Sequence, residues 1–203
     1  MSFTTYLKSF AVFSLCAIGL HAAVPEGWFF AGSKPQEYDC SVDLTTPYNG
    51  LPSTYIKSKP GITTTGFGSM MQEFSSGPYA GKRIRMSAFV KTEGVTHWAG
   101  LWMRVDDANH PRNGYPSSLA FDNMHDGIKD RSIKGTSGWQ NYSVVLDVPQ
   151  EATGIYIGVL LDGPGALWIA GTKVEVVGTE VPITGRLVNR VLPDGPVNLS
   201  FEK

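Results

Sequence analysis

The chain has 203 residues, a length that fits one domain with short tails. Hydrophobic residues make up 42% of it, enough for a buried core, whereas charged residues make up only 17%, below the roughly 25% usual in globular chains. The formal net charge is −1 and no basic run or stripe is present, so the sequence excludes a nucleic-acid-binding footprint.

The first 23 residues differ from the rest. Lys8 is their only charge, an apolar run follows over 10–20, and the small residues Ala22 and Ala23 come next. This order predicts a signal peptide at 1–23, and the run is too short to span a bilayer, so we expect no stable membrane insertion after cleavage and a secreted or periplasmic protein. An uncleaved anchor or a disordered start is the alternative.

The mature chain shows almost no helical spacing of apolar residues. Short alternating runs recur instead, separated by turn residues, and they predict about eight strands. A single antiparallel sheet cannot cover its own apolar face, so the pattern indicates an all-β antiparallel sandwich or jelly roll. We place this domain at 24–178 and a linker tail at 179–203, with a terminal strand at 197–202. A polar stretch at 107–116 is expected to be a loop.

One strand face carries the strongest functional signal. Leu101, Met103 and Val105 alternate with Trp102, Arg104 and Asp106, which therefore share the opposite face. An aromatic ring beside a guanidinium and a carboxylate suits a sugar, because the ring packs on the pyranose and the charged groups bond its hydroxyls. The open alternative is a second packed face with a structural Arg–Asp pair.

Other aromatic and polar residues extend this hypothesis. Trp98, at a strand edge, is a candidate ligand platform or a cap of the core. Phe121, Asp122 and Asn123 open the densest polar cluster, which continues through His125 and Asp126. We predict that Phe121, Asp122 and Asn123 contact ligand. For the cluster as a whole, a loop network that fixes the following Asp130-Arg131 turn is favoured, and use as a metal site or a catalytic base is the weaker alternative. By contrast, we expect Trp139 and Trp168 to close the sandwich core.

The sequence contains no Gly-x-Ser-x-Gly, His-Glu-x-x-His or phosphate-loop motif. Asp106 and Asp122 are the only pair of acids that we can propose for hydrolysis, and nothing in the sequence fixes the distance between them. Because enzyme motifs are otherwise absent, we predict no enzyme, no catalytic residue, no cofactor and no metal. Cys16 would leave with the signal peptide, and Cys40 would then have no disulfide partner in the chain.

Residues 81–178 resemble the carbohydrate-binding-module-like sandwiches of the galactose-binding superfamily. The likeness rests on the segments Gly81–Arg85, Ala99–Asp106, Leu119–Met124, Ile133–Thr136 with Trp139, Val144–Pro149 and Leu160–Trp168. The openings Gly27-Trp28-Phe29 and Ala31-Gly32-Ser33 are similar to a bacterial domain that also occurs beside arabinose-class transcriptional regulators. Related modules often place two acidic residues after a late Trp or Phe, where this chain has Trp168-Ile169-Ala170-Gly171, so a calcium site is not carried over.

Two further classes of function remain open beside a binding module for carbohydrate or another polar small ligand. One is a structural or protein-interaction domain, or a sensory domain related to transcriptional regulators, in which the terminal strand pairs with a sheet edge. The other is a small hydrolase that uses Asp106 or Asp122. The sequence leaves the oligomeric state open.

Overall fold

The computed structural model describes residues 24–63 and 66–188, and within them the predicted antiparallel β-sandwich is confirmed. The predicted signal peptide and terminal strand lie outside the described residues. The strands are β1 (Phe29–Gly32), β2 (Tyr38–Tyr48), β3 (Leu51–Ser58), β4 (Phe67–Ser75), β5 (Arg83–Arg112), β6 (Tyr115–Asp122), β7 (Ile133–Asp147), β8 (Gly154–Asp162), β9 (Ala166–Val177) and β10 (Arg186–Leu187). Short 3-10 turns occupy Pro35–Glu37 and Gly77–Tyr79.

Strand β5 belongs to both layers of the sandwich. Its residues 83–93 pair with β7 and β9, and its residues 98–106 pair with β8, with β6 alongside from 103 onward. We call the layer of β1, β4, β8, the later half of β5, β6 and β10 the front layer. The back layer contains β2, β3, β9, the earlier half of β5 and β7. The pairing register is irregular between Val95 and Ala99, where the strand passes from one layer to the other.

The core between the layers follows the period-two alternation of the sequence. Both halves of β5 contribute fully buried side chains to one continuous cluster, among them Ile84, Met86, Ala88, Val90, Leu101, Met103 and Val105. The residues that alternate with them therefore lie on the outer faces of the two layers. Two separate outer surfaces result, and each carries aromatic side chains.

The prediction of a loop at 107–116 was wrong in most of its length. Strand β5 continues to Arg112 and β6 begins at Tyr115, with Arg112 opposite Tyr115. Asn113 and Gly114 take positive φ angles of 52° and 81°, which fits the two-residue turn that joins antiparallel strands. Asn113-Gly114 is thus the turn of a hairpin, and the polar residues before it lie on exposed strand positions.

The segment after β9 packs against the domain. Arg83 donates to the carbonyl oxygens of Thr179 and Val181, and Thr184 exchanges hydrogen bonds with the backbone of Val145. Residues 186–187, expected to be linker, pair with β6 at the edge of the front layer. Among the described residues, no helix has the length and apolar character needed to cross a membrane.

Candidate functional site

The outer face of the front layer holds a second hydrophobic cluster, separate from the core. Trp98, Trp102 and Leu160 form its buried part, and Phe67, Met71, Phe121 and Tyr156 pack against them. These side chains line a groove of about 550 Å³, which we call the front groove. Its full lining is Phe29, Phe67, Met71, Trp98, Trp102, Arg104, Phe121, Asn123, Asp126, Tyr156, Leu160 and Asp162.

Small residues on the strands leave room for the rings that form the floor of the groove. Gly158 lies opposite Trp102, and Gly100 lies opposite Leu160. A Cβ on Gly158 would come within 2.6 Å of Trp102 Nε1, so the indole lies where another residue would have its side chain. Trp102 Nε1 donates to Ser69 Oγ at 2.8 Å, and Ser69 in turn donates to a backbone carbonyl of β8. The ring is therefore fixed in place with its polar atom satisfied.

A row of polar and aromatic side chains crosses four strands at one end of the groove. Glu73, Tyr156, Arg104 and Phe121 are successive cross-strand neighbours on β4, β8, β5 and β6. The Tyr156 hydroxyl donates to Glu73 at 2.6 Å, and the Arg104 guanidinium lies 4.6 Å from the centroid of the Tyr156 ring. Burial, and then the hydrogen bond to Glu73, raise the pKa of Tyr156 to about 12. Tyr156 is accordingly neutral at physiological pH.

Asp106 holds Arg104 but does not line the groove. Both carboxylate oxygens accept from Arg104 Nε at 3.0 Å, and Nη2 lies 2.8 Å from Oδ2. The Asp106 side chain is only 3% exposed, whereas that of Arg104 is 40% exposed. Burial raises the pKa of Asp106, and the neighbouring guanidinium opposes that rise. The pair that the sequence analysis proposed as ligand contacts is therefore an exposed arginine fixed by a buried carboxylate.

The other end of the groove is built by the loop after β6. Asn123 accepts from the backbone N–H groups of His125 and Asp126 at 3.1 and 2.6 Å, and its amide donates to the Asp126 carboxylate at 2.9 Å. The His125 ring stacks on Trp98, with centroids 4.9 Å apart and an angle of 22°. Between β5 and β8, His97 Nδ1 lies 3.0 Å from Asp162 Oδ1. Hydrogen-bonding groups thus flank an apolar floor.

Asp122 lies on the other side of β6 from the groove. Its side chain is fully buried, it accepts a hydrogen bond from Arg131, and its second oxygen accepts from the Met124 backbone N–H at 2.8 Å. Arg131 also donates to the carbonyl oxygen of Ser143 at 2.7 Å. This arrangement holds the loop that carries Asn123 and His125, so the contribution of Asp122 is to position the loop, and ligand contact is excluded by its burial.

Five of the seven residues selected from the sequence line the front groove: Trp98, Trp102, Arg104, Phe121 and Asn123. Asp106 and Asp122 do not. Six further lining residues were not predicted from the sequence, and Asp126 was predicted only as part of the polar cluster; the six are Phe29, Phe67, Met71, Tyr156, Leu160 and Asp162. A period-two signal was present for β8, since Tyr156, Leu160 and Asp162 share one parity and therefore one face.

Of the two tryptophans expected to close the core, Trp168 is buried, with 5% exposure, but lies outside the continuous core cluster, and Trp139 is only half-buried. Trp168 pairs with Lys91, which faces outward from the back layer, and Trp139 is half-buried beside Tyr48. Trp168 lies on the outer face of the back layer, because Leu167 and Ile169 take the inward positions on either side of it. Trp139 shares the outer face of β7 with Asn141, which pairs with the outward-facing Phe89. Among the described residues, no group of three or more His, Cys, Asp or Glu side chains is arranged to hold a metal ion.

Comparison with solved structures identifies the architecture. The chain superimposes on the xylanase 10B of Clostridium thermocellum, a chain with a family 22 carbohydrate-binding module and a family 10 glycoside hydrolase module, with a TM-score of 0.52 and 15% identity over 82% of this chain. A family 30 carbohydrate-binding module gives 0.51 and 14% identity over 73% of this chain and 92% of the module. The chain has the β-sandwich fold of carbohydrate-binding modules. Tailspike protein 4 of bacteriophage CBA120 also contains a similar region, with a TM-score of 0.52, 12% identity and 75% of this chain covered.

A sequence relative has a different context. The chain is 42% identical over 178 residues, 88% of its length, to the uncharacterized HTH-type transcriptional regulator YbfP of Bacillus subtilis. It spans 57% of that regulator, 29% of the xylanase chain and 20% of the tailspike chain. No protein-family model matches the chain. The resemblance to a domain that accompanies helix-turn-helix regulators, expected from the sequence, is confirmed.

Proposed function

We propose that this chain is a non-catalytic carbohydrate-binding domain and that the front groove is its ligand site. The observation that carries the proposal is the composition of the groove: aromatic rings form its floor, and hydrogen-bonding groups stand at both ends. The apolar faces of a pyranose stack on rings such as Trp98 and Trp102, while Arg104, Asn123 and Asp126 bond its hydroxyls. The fold that it shares with carbohydrate-binding modules supports this proposal.

The same geometry argues against the pair of acids considered for hydrolysis in the sequence. Glycoside hydrolysis uses two carboxyl groups on either side of one glycosidic bond. The two acids considered for that role, Asp106 and Asp122, are buried and each is held by an arginine. Neither lines the groove.

A sensory use of this binding domain is supported by a specific observation. The relative with 42% identity is named as an HTH-type transcriptional regulator, and this chain spans 57% of it. Under this proposal the sandwich binds a small saccharide and the rest of such a protein responds to it. The binding chemistry of the groove is the same in both settings, so one binding experiment addresses both.

We further propose that residues 1–23 are a cleaved signal peptide, that 24–178 form the binding domain with the tail at 179–203, and that the mature protein is secreted or periplasmic. Intact mass and N-terminal sequencing of protein from fractionated cells test this. A new N-terminus near residue 24 in an exported fraction would support it. Full-length protein confined to the cytoplasm would contradict it and favour the sensory setting.

The central test is a glycan array, followed by calorimetry with the glycans that bind. The proposal expects measurable binding whose Kd rises roughly two- to tenfold in Trp102→Ala, since ring stacking contributes about 0.5–1.5 kcal/mol. The matched control is Tyr115→Ala, which removes an aromatic ring that is 75% exposed and lies outside the groove. Absence of binding to every glycan, or equal affinity of the Trp102→Ala and wild-type proteins, would overturn the proposal.

A further inference from the structure

The outer face of the back layer carries a second aromatic surface. Phe89 and Lys91 lie on the same face of β5, because they are two residues apart in a strand. The Tyr48 ring stacks on Phe89, with centroids 4.0 Å apart and an angle of 23°, and it also contacts Trp139 at 5.4 Å. The three rings are half-buried. We call Tyr48, Phe89, Trp139 and the adjoining Trp168 the back aromatic surface.

Two lysines project over this surface and face the same ring. The ammonium groups of Lys57 and Lys91 lie 4.8 and 4.7 Å from the centroid of the Trp168 ring, and Lys57 is also 4.6 Å from that of Tyr55. Lysine stems commonly cover apolar surface, but their charged ends usually reach solvent or a carboxylate. Here two like charges converge on one indole.

The described part of the chain supplies neither lysine with a carboxylate within 4.0 Å. Three other basic side chains in or beside the back layer do have such partners: Arg83 pairs with Asp147, Arg85 with Glu175 and Lys59 with Asp39. Lys134 on β7 and Lys173 on β9 also lack a carboxylate within 4.0 Å among the described residues, but neither lies over an aromatic ring there, as Lys57 and Lys91 do. Asp43 is the acid at the Trp168 ring, but its oxygens accept from Trp168 Nε1 at 2.8 Å and from Thr45. Burial raises the pKa of Asp43, but these hydrogen bonds outweigh it and hold the pKa well below its ordinary value. The carboxylate therefore stays ionised, and its oxygens are already hydrogen-bonded to Trp168 and Thr45.

We propose that the back aromatic surface is a second binding site, for a polysaccharide that carries carboxylates on its sugar rings. The positive charge of Lys57 and Lys91, which has no carboxylate partner among the described residues, is complementary to such an anion. The half-buried rings of Tyr48 and Trp139 offer stacking positions on the same face, and Phe89 supports Tyr48 from behind. A uronate joins both features in one residue, because its carboxylate is attached to the ring that stacks. Contacts to a neutral glycan would leave the two ammonium groups without a counter-charge.

The front groove has the opposite charge character. Its lining includes the carboxylates of Asp126 and Asp162, and Glu73 lies beside Tyr156. The arginine there is already paired with Asp106. An acidic polysaccharide is therefore disfavoured in the groove and favoured on the back layer, so the two sites differ in ligand and can be tested separately.

The experiment measures binding of the full chain to polygalacturonate by affinity electrophoresis and calorimetry at low ionic strength, with dextran as the neutral polymer. The double variant K57Q/K91Q should bind polygalacturonate roughly tenfold more weakly, since it removes two charge pairs at a partly exposed site. Trp139→Ala should weaken it as well. The matched control K82Q/K129Q removes two positive charges elsewhere and should leave the affinity unchanged.

Three outcomes would overturn the proposal. The first is equal affinity of K57Q/K91Q and K82Q/K129Q, which would mean that only net charge matters. The second is loss of polygalacturonate binding in Trp102→Ala, which would place the acidic polymer in the front groove. The third is tighter binding of oligo-dT or of a phosphorylated dextran than of polygalacturonate. Melting temperatures of all variants distinguish lost binding from lost folding. Failure of the front groove to bind glycans would not change the expected binding of polygalacturonate to the back aromatic surface.

Discussion

The indole ring of Trp102 occupies the space that a side chain on Gly158 would fill. The two residues are cross-strand neighbours on β5 and β8, and a Cβ on Gly158 would meet Trp102 Nε1 at 2.6 Å and the carbonyl oxygen of Met70 at 2.7 Å. Trp102 Nε1 is at the same time bonded to Ser69. A glycine in β8 therefore determines whether the ring can lie flat on the sheet, and with it the shape of the front groove.

The substitution Gly158→Ala should displace the ring or separate the strands. We expect the free energy of unfolding to fall by about 1–3 kcal/mol, as in other overpacked sites, and the near-ultraviolet circular dichroism of tryptophan to change. Gly138→Ala in β7 is the control, because nothing lies within 4 Å of its added Cβ. Thermal unfolding that is the same for both variants would show that the ring position does not depend on Gly158.

Alkaline pH should act on the Tyr156–Glu73 hydrogen bond. The pKa of Tyr156 is raised to about 12 in the folded protein, above the value of about 10 for an unperturbed tyrosine. The protonated form is thus favoured by folding, so the stabilisation is fully present below pH 10 and is lost as the pH rises towards 12. Other tyrosines also titrate there, so the measurement is the difference between the wild-type and Tyr156→Phe proteins.

Chemical unfolding at several pH values from 8 to 12 gives this difference. The gap in free energy of unfolding between wild type and Tyr156→Phe should be largest near neutral pH and should narrow as the pH rises. A gap that does not change with pH would show that Tyr156 does not ionise abnormally in the folded protein.

Removal of Arg131 from its ion pair with the buried Asp122 should lower the free energy of unfolding substantially. Arg131→Gln leaves the fully buried Asp122 carboxylate without its guanidinium, and such changes cost about 3–5 kcal/mol. Arg85→Gln is the matched control, since Arg85 and Glu175 are 38% and 46% exposed and such a pair contributes at most about 1 kcal/mol. The measurement is denaturant unfolding, and equal losses in the two variants would contradict the structural role given to Asp122.

Arg131→Gln should affect ligand binding in the front groove as well as stability. Arg131 and Asp122 hold the loop that places Asn123 and His125 at the groove, so Arg131→Gln should also weaken glycan binding at temperatures where the protein is still folded. An unchanged Kd in the folded variant would mean that the loop keeps its position without the pair.

Local alternation was enough to predict the faces of β5. The inward positions of Ile84, Met86 and Leu101 were predicted from period two, and all three are fully buried. The same rule placed Trp102 on the outer face. It could not say whether that face was wet or packed, and the structure gives an intermediate answer: Trp102 is 7% exposed, yet its ring lines an open groove.

The groove residues that the sequence did not reveal come from neighbouring strands, so predicting them requires the strand order. Phe67 and Met71 come from β4, and Leu160 comes from β8, segments separated by tens of residues from Trp102 and brought beside it only by pairing. Sequence spacing within one strand carries no information on which strands become neighbours. The error on Asp122 has a more local cause, since residues 121 and 122 lie on opposite faces of β6 and were taken as one cluster.

The passage of β5 between the two layers determines where this chain tolerates a change in length. A one-residue insertion at 84–90 or at 99–105 would move inward side chains outward for the rest of that half, exchanging core residues with those of an aromatic surface. Between 93 and 99 the register is already irregular, and Gly94 has a φ of 58° with open space around its Cβ position. We therefore expect an inserted residue at Gly94 to disturb the front groove and the back aromatic surface less than an insertion within either half of β5.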